Sequence, residues 1–304
     1  MIISDFIEEL RQKEIEISFI AGKLKYTGPE KQITPELIEN LKKYKGKLMK
    51  HFWPKENYNM MPINTEGSKT PFILVHGQQA NYVLSEYLGK DQPMYGFFHY
   101  GSNGEKITFN NIKLLAENYI GQIQKVIPNG PYLLGGFSFG GTLAFEIAIQ
   151  LQKSGYNVPL LILIDISNPL VKEPFKWESN LFKMLKWYIL SPAKEEIRRI
   201  IILVICKGFL LFNKPTPVSL RSFYILNAYH NMFINYHPEK FNGDIVLLKA
   251  SSNKSFYQYL GWETLVNEIK LFHIEGEHST LYSNIEFYAL IRAEIQKVTA
   301  SMKS

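Results

Sequence analysis

The stretch Gly135-Gly136-Phe137-Ser138-Phe139-Gly140-Gly141 limits the fold more than any other part of the chain. The apolar Tyr132-Leu133-Leu134 precedes it and Thr142-Leu143-Ala144-Phe145-Glu146-Ile147-Ala148 follows, which reads as strand, sharp turn and helix. Gly136 to Gly140 fits G-x-S-x-G, in which a serine sits on a strained strand-to-helix turn. The flanking glycines leave room where any Cβ would collide, so the Ser138 hydroxyl stands clear of the sheet. The backbone N–H of Phe139 then points to where an oxyanion would develop.

A strand feeding a helix in this way belongs to an alternating α/β pattern, and the rest of the chain supplies it. Phe72-Ile73-Leu74-Val75 is a continuous apolar run, as a buried parallel strand requires, and ends in His76-Gly77-Gln78. Further strands are expected at Met94 to Phe98, Tyr132 to Phe137, Leu160 to Ile164, Ile245 to Leu248 and Ile269 to Phe272. Helical spacing runs from Thr108 to Val126, and a last helix starts near Asn284. This order predicts an α/β fold with a mostly parallel sheet and right-handed crossovers, whose ligand chemistry lies at the carboxyl ends of the strands. Ser138, Asp165 and His278 all fall at such ends, in the order nucleophile, acid, base. The expected roles are attack by Ser138, proton transfer by His278, and orientation of His278 by Asp165. The N–H groups of Phe139 and Gln78 are the expected oxyanion donors. Among the other histidines, His76 is expected to pack structurally, His273 to lie within a strand, and His99, His230 and His237 to lie on loops or the surface. No metal-ligand spacing or phosphate loop appears, so no metal and no bound cofactor are expected.

Gly130-Pro131-Tyr132-Leu133-Leu134-Gly135-Gly136-Phe137-Ser138-Phe139-Gly140-Gly141, with Ala144 and Glu146, resembles the thioesterase domain that ends non-ribosomal peptide and polyketide synthetases. Leu88 to Gly96, Asn235-Tyr236-His237-Pro238, Gly261-Trp262 and Gly276-Glu277-His278 extend the resemblance over about 62 to 300. It implies an α/β-hydrolase fold with a helical lid insert at about 170–235. It also implies a serine thioesterase that takes an acyl or peptidyl chain from the 4'-phosphopantetheine arm of a carrier protein. Release by hydrolysis or cyclisation, editing of blocked carriers, and a non-catalytic docking adaptor are the alternatives. Residues 170 to 221 carry ten basic and four acidic residues and are also rich in apolar side chains. An apolar inner face for the substrate and a basic outer rim for an acidic carrier are therefore expected.

The N-terminal stretch changes period. Phe6, Ile7 and Leu10 form a helical stripe that Ser4 or Asp5 can cap. Glu14 to Phe19 alternates strictly, Ala21-Gly22 is a turn, and Lys23 to Tyr26 alternates again. This predicts a hairpin with Ile15, Ile17, Phe19, Leu24 and Tyr26 inside, and with glutamates facing lysines outside. Thr34-Pro35-Glu36-Leu37 opens a second helix that runs to Phe52, with a break expected at Gly46. The order helix, hairpin with Gly22, Thr34-Pro35-Glu36-Leu37 and Leu/Lys helix resembles the tubulysin-type N-terminal docking domain of multi-enzyme assembly lines. That resemblance implies a small α+β domain whose hairpin accepts the C-terminal tail of an upstream synthetase as an added strand. Lys23 and Lys25 would favour an acidic tail. The expected division is a docking domain at 1–53, a linker at 54–70 with a short edge strand at Met61 to Ile63, and the catalytic domain at 71–304.

The 304 residues are 46% hydrophobic and 20% charged, enough for one large core plus this appendage. One cysteine, Cys206, permits no intrachain disulfide and fits a reducing cytoplasm. The first residues hold acids and no basic segment before an apolar core, which predicts no signal peptide. The longest apolar run, Ile200 to Cys206, is too short to span a membrane. A net charge of +6 favours acidic partners, but no basic-aromatic stripe points to nucleic acid.

Overall fold

The computed structural model describes residues 3–20, 23–52, 59–77, 80–102, 104–171 and 181–302. The N-terminal part comprises α1 (Ile3–Gln12), β1 (Glu16–Ile20), β2 (Lys23–Thr27) and α2 (Pro35–Phe52). Helix α1 begins at Ile3, so Ser4 and Asp5 lie inside it and do not cap it. Helix α2 is capped as expected, with the Leu37 N–H donating to Thr34 Oγ1 at 3.2 Å, and it passes Gly46 unbroken. The two strands pair antiparallel, with Ile17 opposite Tyr26 and Phe19 opposite Leu24 in register, and Ile15, Ile17 and Tyr26 of the expected apolar face pack together. The outer face differs from expectation. Lys25 stands opposite Ser18, Lys23 opposite Ile20 and Glu16 opposite Thr27, because the register offsets the charges instead of matching them. A two-stranded sheet is not stable alone, and here Phe6, Leu10, Ile15, Leu37, Leu41 and Leu48 close a small core of helices over it. A cavity of about 550 Å³ lies along this unit, lined by Ile7, Leu10, Arg11 and Glu14 to Ile17 of α1 and β1.

The larger part is a seven-stranded sheet. Its elements are β3 (Met60–Asn64), β4 (Phe72–Val75), α3 (Ala80–Leu88), β5 (Met94–Phe97), α4 (Ile112–Val126), β6 (Leu133–Phe137), α5 (Phe139–Lys153) and β7 (Leu160–Ile164). Then come α6 (Leu181–Leu211), α7 (Val218–Ile234), β8 (Ile245–Ala250), β9 (Ile269–Ile274) and α8 (Ile285–Ser301). The strand order is β3-β5-β4-β6-β7-β8-β9. All neighbours are parallel except β3, which runs antiparallel along the edge of β5. The edge strand within the expected linker is therefore real, and the sheet starts at Met60. Helix α4 starts four residues later than its periodicity suggests, because the Asn111 side chain accepts the Leu114 N–H at 2.9 Å and caps it there.

Successive strand residues point to opposite faces, and the core divides accordingly. Ile73, Val75, Leu134, Leu161, Leu163 and Leu247 pack with α4 and α5. Phe72, Leu74, Leu133, Ile162, Ile164 and Leu248 pack with α3 and α8. Each such buried aliphatic side chain contributes on the order of 1.5–3 kcal/mol through its removal from water. The chain moves outward from β4 to β5 and then returns across β4 to place β6 on its other side. That reversal opens a crevice at the carboxyl ends of β4 and β6.

Candidate active site

Three residues that leave the central strands have left-handed backbones: His76 after β4 (φ 58°), Ser138 after β6 (φ 54°) and Asp165 after β7 (φ 46°). Residues with a Cβ rarely adopt this region, and such strain gathers where side chains must be aimed. The turn at Ser138 is held by its N–H donating to Ile164 O at 2.9 Å and by the Gly141 N–H donating to Ser138 O at 2.7 Å. A Cβ on Gly136 would stand 2.0 Å from Gly140 O, and one on Gly140 would stand 2.3 Å from Val75 O. Both positions thus exclude every other residue type. Phe139 is the first residue of α5, so its N–H has no acceptor within the helix and is available to a ligand. Gln78, the second expected donor, lies outside the described residues.

Asp165 and His278 come together although they are far apart in sequence. The His278 Nδ1–H donates to Asp165 Oδ2 at 2.8 Å. The other carboxylate oxygen, Oδ1, accepts the Ala250 N–H at 3.1 Å and the Asn253 side-chain amide at 2.8 Å. Asp165 is only 5% exposed. Burial pushes its carboxyl up, but the hydrogen bonds from His278, Asn253 and Ala250 outweigh that and hold it below the usual carboxylate range. With Nδ1 carrying the proton, the ring's lone pair resides on Nε2. Ser138 and His278 line the same cavity, of about 490 Å³. Asn253 was not singled out from the sequence. Its signal is its place just beyond β8, the strand beside β7, at the same carboxyl edge as Asp165.

The cavity wall beside Ser138 is a stack of rings. Phe139 and Tyr229 are 4.6 Å apart and nearly parallel, and His76 lies 5.4 Å from Tyr229 and 3.9 Å from His99. His76 packs structurally, as expected. Tyr119 OH donates to Phe98 O at 3.2 Å, so it accepts the His76 Nε2–H at 3.1 Å. His99 is not a surface residue. It is partly buried in this wall, because β5 ends at Phe97 and sends the chain under α7. Burial pushes the His99 imidazole down to about 4, and burial with the neighbouring His99 holds His76 well below its ordinary value. Both rings are neutral near pH 7, and the wall is uncharged. His230 lies on α7 and also lines the cavity, His237 is exposed after α7, and His273 is in β9.

The insert supplies the roof. Leu226, Tyr229, His230 and Phe233 of α7 face the cavity. Helix α7 is fastened to the loop after β5. Tyr229 OH accepts the Tyr100 N–H at 2.8 Å, Tyr224 OH accepts the Ile107 N–H at 3.1 Å, and Arg221 donates to Ser102 O at 2.9 Å. The buried Tyr236 hydroxyl, donating to Glu146 Oε2, ties the end of α7 to α5. Of the expected basic outer rim, Lys172, Lys176, Lys183, Lys186 and Lys194 lie outside the described side chains. The described outer residues of α6 are mainly apolar, with Arg198 and Lys207 at the margins.

Residues 77–184 match the family described as "Thioesterase domain", and residues 3–53 match the "TubC N-terminal docking domain". The chain is 38% identical over 114 residues to chondramide synthase cmdD of Chondromyces crocatus, covering 36% of this chain and 3% of that protein. It is 26% identical over 234 residues to malpibaldin synthetase of Mortierella alpina, covering 72% of this chain and 4% of that one. A third relative, 29% identical over 153 residues, is named inactive atromentin synthetase invA6 of Paxillus involutus, covering 49% of this chain and 16% of that protein. The chain thus spans a small part of these relatives. Among solved structures, the NocB thioesterase domain from the nocardicin cluster superposes with a TM-score of 0.55 at 22% identity, covering 79% of this chain and 98% of that domain. A four-domain nonribosomal peptide synthetase gives 0.56 at 24% identity, covering 78% and 20%. Both likenesses support the fold. Residues 77–184 thus match the thioesterase domain, residues 3–53 match the TubC N-terminal docking domain, and the mostly parallel sheet shares the α/β-hydrolase fold of the solved thioesterase domains.

Proposed function

We propose that this chain is a serine thioesterase that releases an acyl or peptidyl chain from the phosphopantetheine arm of a carrier protein in a synthetase assembly line. The observation that carries the reading is the buried Asp165–His278 pair at a cavity that also holds Ser138. Ser138 Oγ attacks the thioester carbonyl while His278 Nε2 takes the hydroxyl proton. The Phe139 N–H, with that of Gln78, stabilises the oxyanion. The tetrahedral intermediate collapses by breaking the C–S bond, and His278 returns the proton to the leaving thiol. The chain is then an ester on Ser138. Water, or a nucleophile within the chain, attacks that ester with His278 again accepting the proton, and Ser138 is regenerated. Asp165 holds the imidazole in the Nδ1–H tautomer and stabilises the imidazolium in both halves.

The proposed division assigns 1–53 to docking and the sheet from Met60 onward to catalysis, with 170–235 as the lid. The docking segment would engage the C-terminal tail of an upstream synthetase, with Lys23 and Lys25 of β2 facing an acidic strand, and release would occur in trans. Thioesterases that edit blocked carriers share the fold, but a dedicated docking segment ties this chain to one partner. The test is turnover of an acyl-pantetheine thioester, followed by product analysis. Thiol release that Ser138→Ala abolishes supports the reading, and release unaffected by that change overturns it.

A further inference from the structure

From Ile197 to Leu211 helix α6 is apolar on both sides, yet only one side is covered by the described residues. Cys206 is buried against α7 and the main core, with Ile202, Leu203 and Leu210 partly buried beside it. On the far side Ile197 (58% exposed), Ile200, Ile201, Val204 (62%) and Leu211 (81%) face outward. At 3.6 residues per turn these five fall within an arc of about 100°. Arg198 lies at one margin of that arc and Lys207 at the other, both exposed. Just beyond the helix, Phe212 is 79% exposed, and Asn213 (φ 53°) turns the chain so that Lys214 follows at the same corner. Among the described residues Arg198, Lys207 and Lys214 have no acidic partner. A helix that is apolar all round is ordinarily buried, so this stripe calls for a cover that the described residues do not supply.

We infer that the outer face of α6 is an attachment surface for an anionic lipid bilayer, on which the helix lies in the plane of the interface. An aliphatic stripe with a phenylalanine at one end and basic side chains on both margins suits that setting: the apolar groups enter the acyl boundary and the cations meet lipid phosphates. Over 196–221, where the side chains are described, Arg198, Arg199, Lys207, Lys214 and Arg221 stand against Glu196 alone, which gives the charge complementarity. No helix of the described residues is long and apolar enough to cross a membrane, which fits a surface placement. A second copy of the chain is the poorer occupant. A two-fold pairing of the stripes sets the basic margins of the two copies beside each other, and like charges there repel. The stripe also lacks the tryptophan and tyrosine that anchor protein interfaces. The inference does not depend on the thioesterase reading, since none of these residues lines the Ser138 cavity.

The test is cosedimentation of the full chain with vesicles of phosphatidylcholine alone and of phosphatidylcholine with about one third phosphatidylglycerol, at low and raised salt. The chain should partition onto the anionic vesicles and leave them as salt rises. Arg198→Gln and Lys207→Gln should each weaken partitioning by about fivefold. Val204→Glu should weaken it by tenfold or more, because it places a carboxylate in the stripe. Val204 is exposed, so this variant should keep the wild-type melting temperature and the wild-type turnover of a small thioester. Absence of binding to anionic vesicles overturns the inference, as does equal binding of the Val204→Glu protein. A wild-type dimer that Val204→Glu dissociates, without vesicle binding, would assign the face to a second copy and also overturn it.

Discussion

Asp165 shows how one residue is prepared for its proposed role by its surroundings. Its carboxylate is buried, and three donors satisfy it, of which His278 is the one proposed to change charge during turnover. Asp165→Asn should lower kcat by on the order of 10²–10⁴ in a folded protein, because an amide supports the wrong tautomer of His278. Steady-state kinetics with a melting curve checks this, and full activity would move the acid elsewhere. Asn253→Ala removes one of the hydrogen bonds that hold Asp165 ionised and in place. A loss of about tenfold in kcat is expected, with little change in KM. Among the histidines the sign of the pH effect is fixed. His99 titrates near 4 when folded and near 6.5 when unfolded, and His76 is displaced in the same direction. Between those values the unfolded chain binds more protons, so their contribution is fully present above about pH 6.5 and is lost as pH falls toward 4. Melting temperature should therefore drop between pH 7 and pH 5, and His99→Phe should flatten that drop. Asp165, held below its ordinary value, adds its own loss only at still lower pH.

At the scale of elements, the turn between β6 and α5 is the least adjustable piece. Gly140→Ala sets a Cβ against Val75 O on the neighbouring strand, a backbone atom that cannot move aside alone. A loss of stability of about 1–3 kcal/mol is expected, together with a large fall in activity as Ser138 is re-aimed. Chemical denaturation compared with turnover separates the two effects. This turn was legible in the sequence because the glycines, the serine and the flanking periods agree. The parallel strands were legible because their apolar runs have no other stable home. Three features were not. The Asn111 cap overrode a hydrophobic period that suggests a longer α4. The hairpin register placed Lys25 opposite Ser18, which a count of alternating charges does not determine. His99 entered the cavity wall because α7 folds over it, a contact between positions remote in sequence.

For the whole molecule, two units with separate cores divide the proposed work. The residues of α1, β1, β2 and α2 close on their own cluster, and the large sheet has its own core on each face. Removal of residues 1–53 should leave hydrolysis of a small acyl thioester within a few-fold of wild type. It should reduce turnover of the chain presented by the partner synthetase far more, because tethering raises the local concentration of a weak partner toward the millimolar range. Measuring both activities on one truncated protein distinguishes docking from a structural role, since equal loss of both means the segment only supports the catalytic unit. The central claim is that Ser138 carries the chain as an ester, and intact-protein mass spectrometry after brief exposure to an acyl-pantetheine thioester tests it most directly. One acyl mass added to the wild-type protein, mapped to the peptide containing Ser138 and absent from Ser138→Ala, is the expected result. Thioester cleavage without any adduct on Ser138, undiminished in Ser138→Ala, would contradict it.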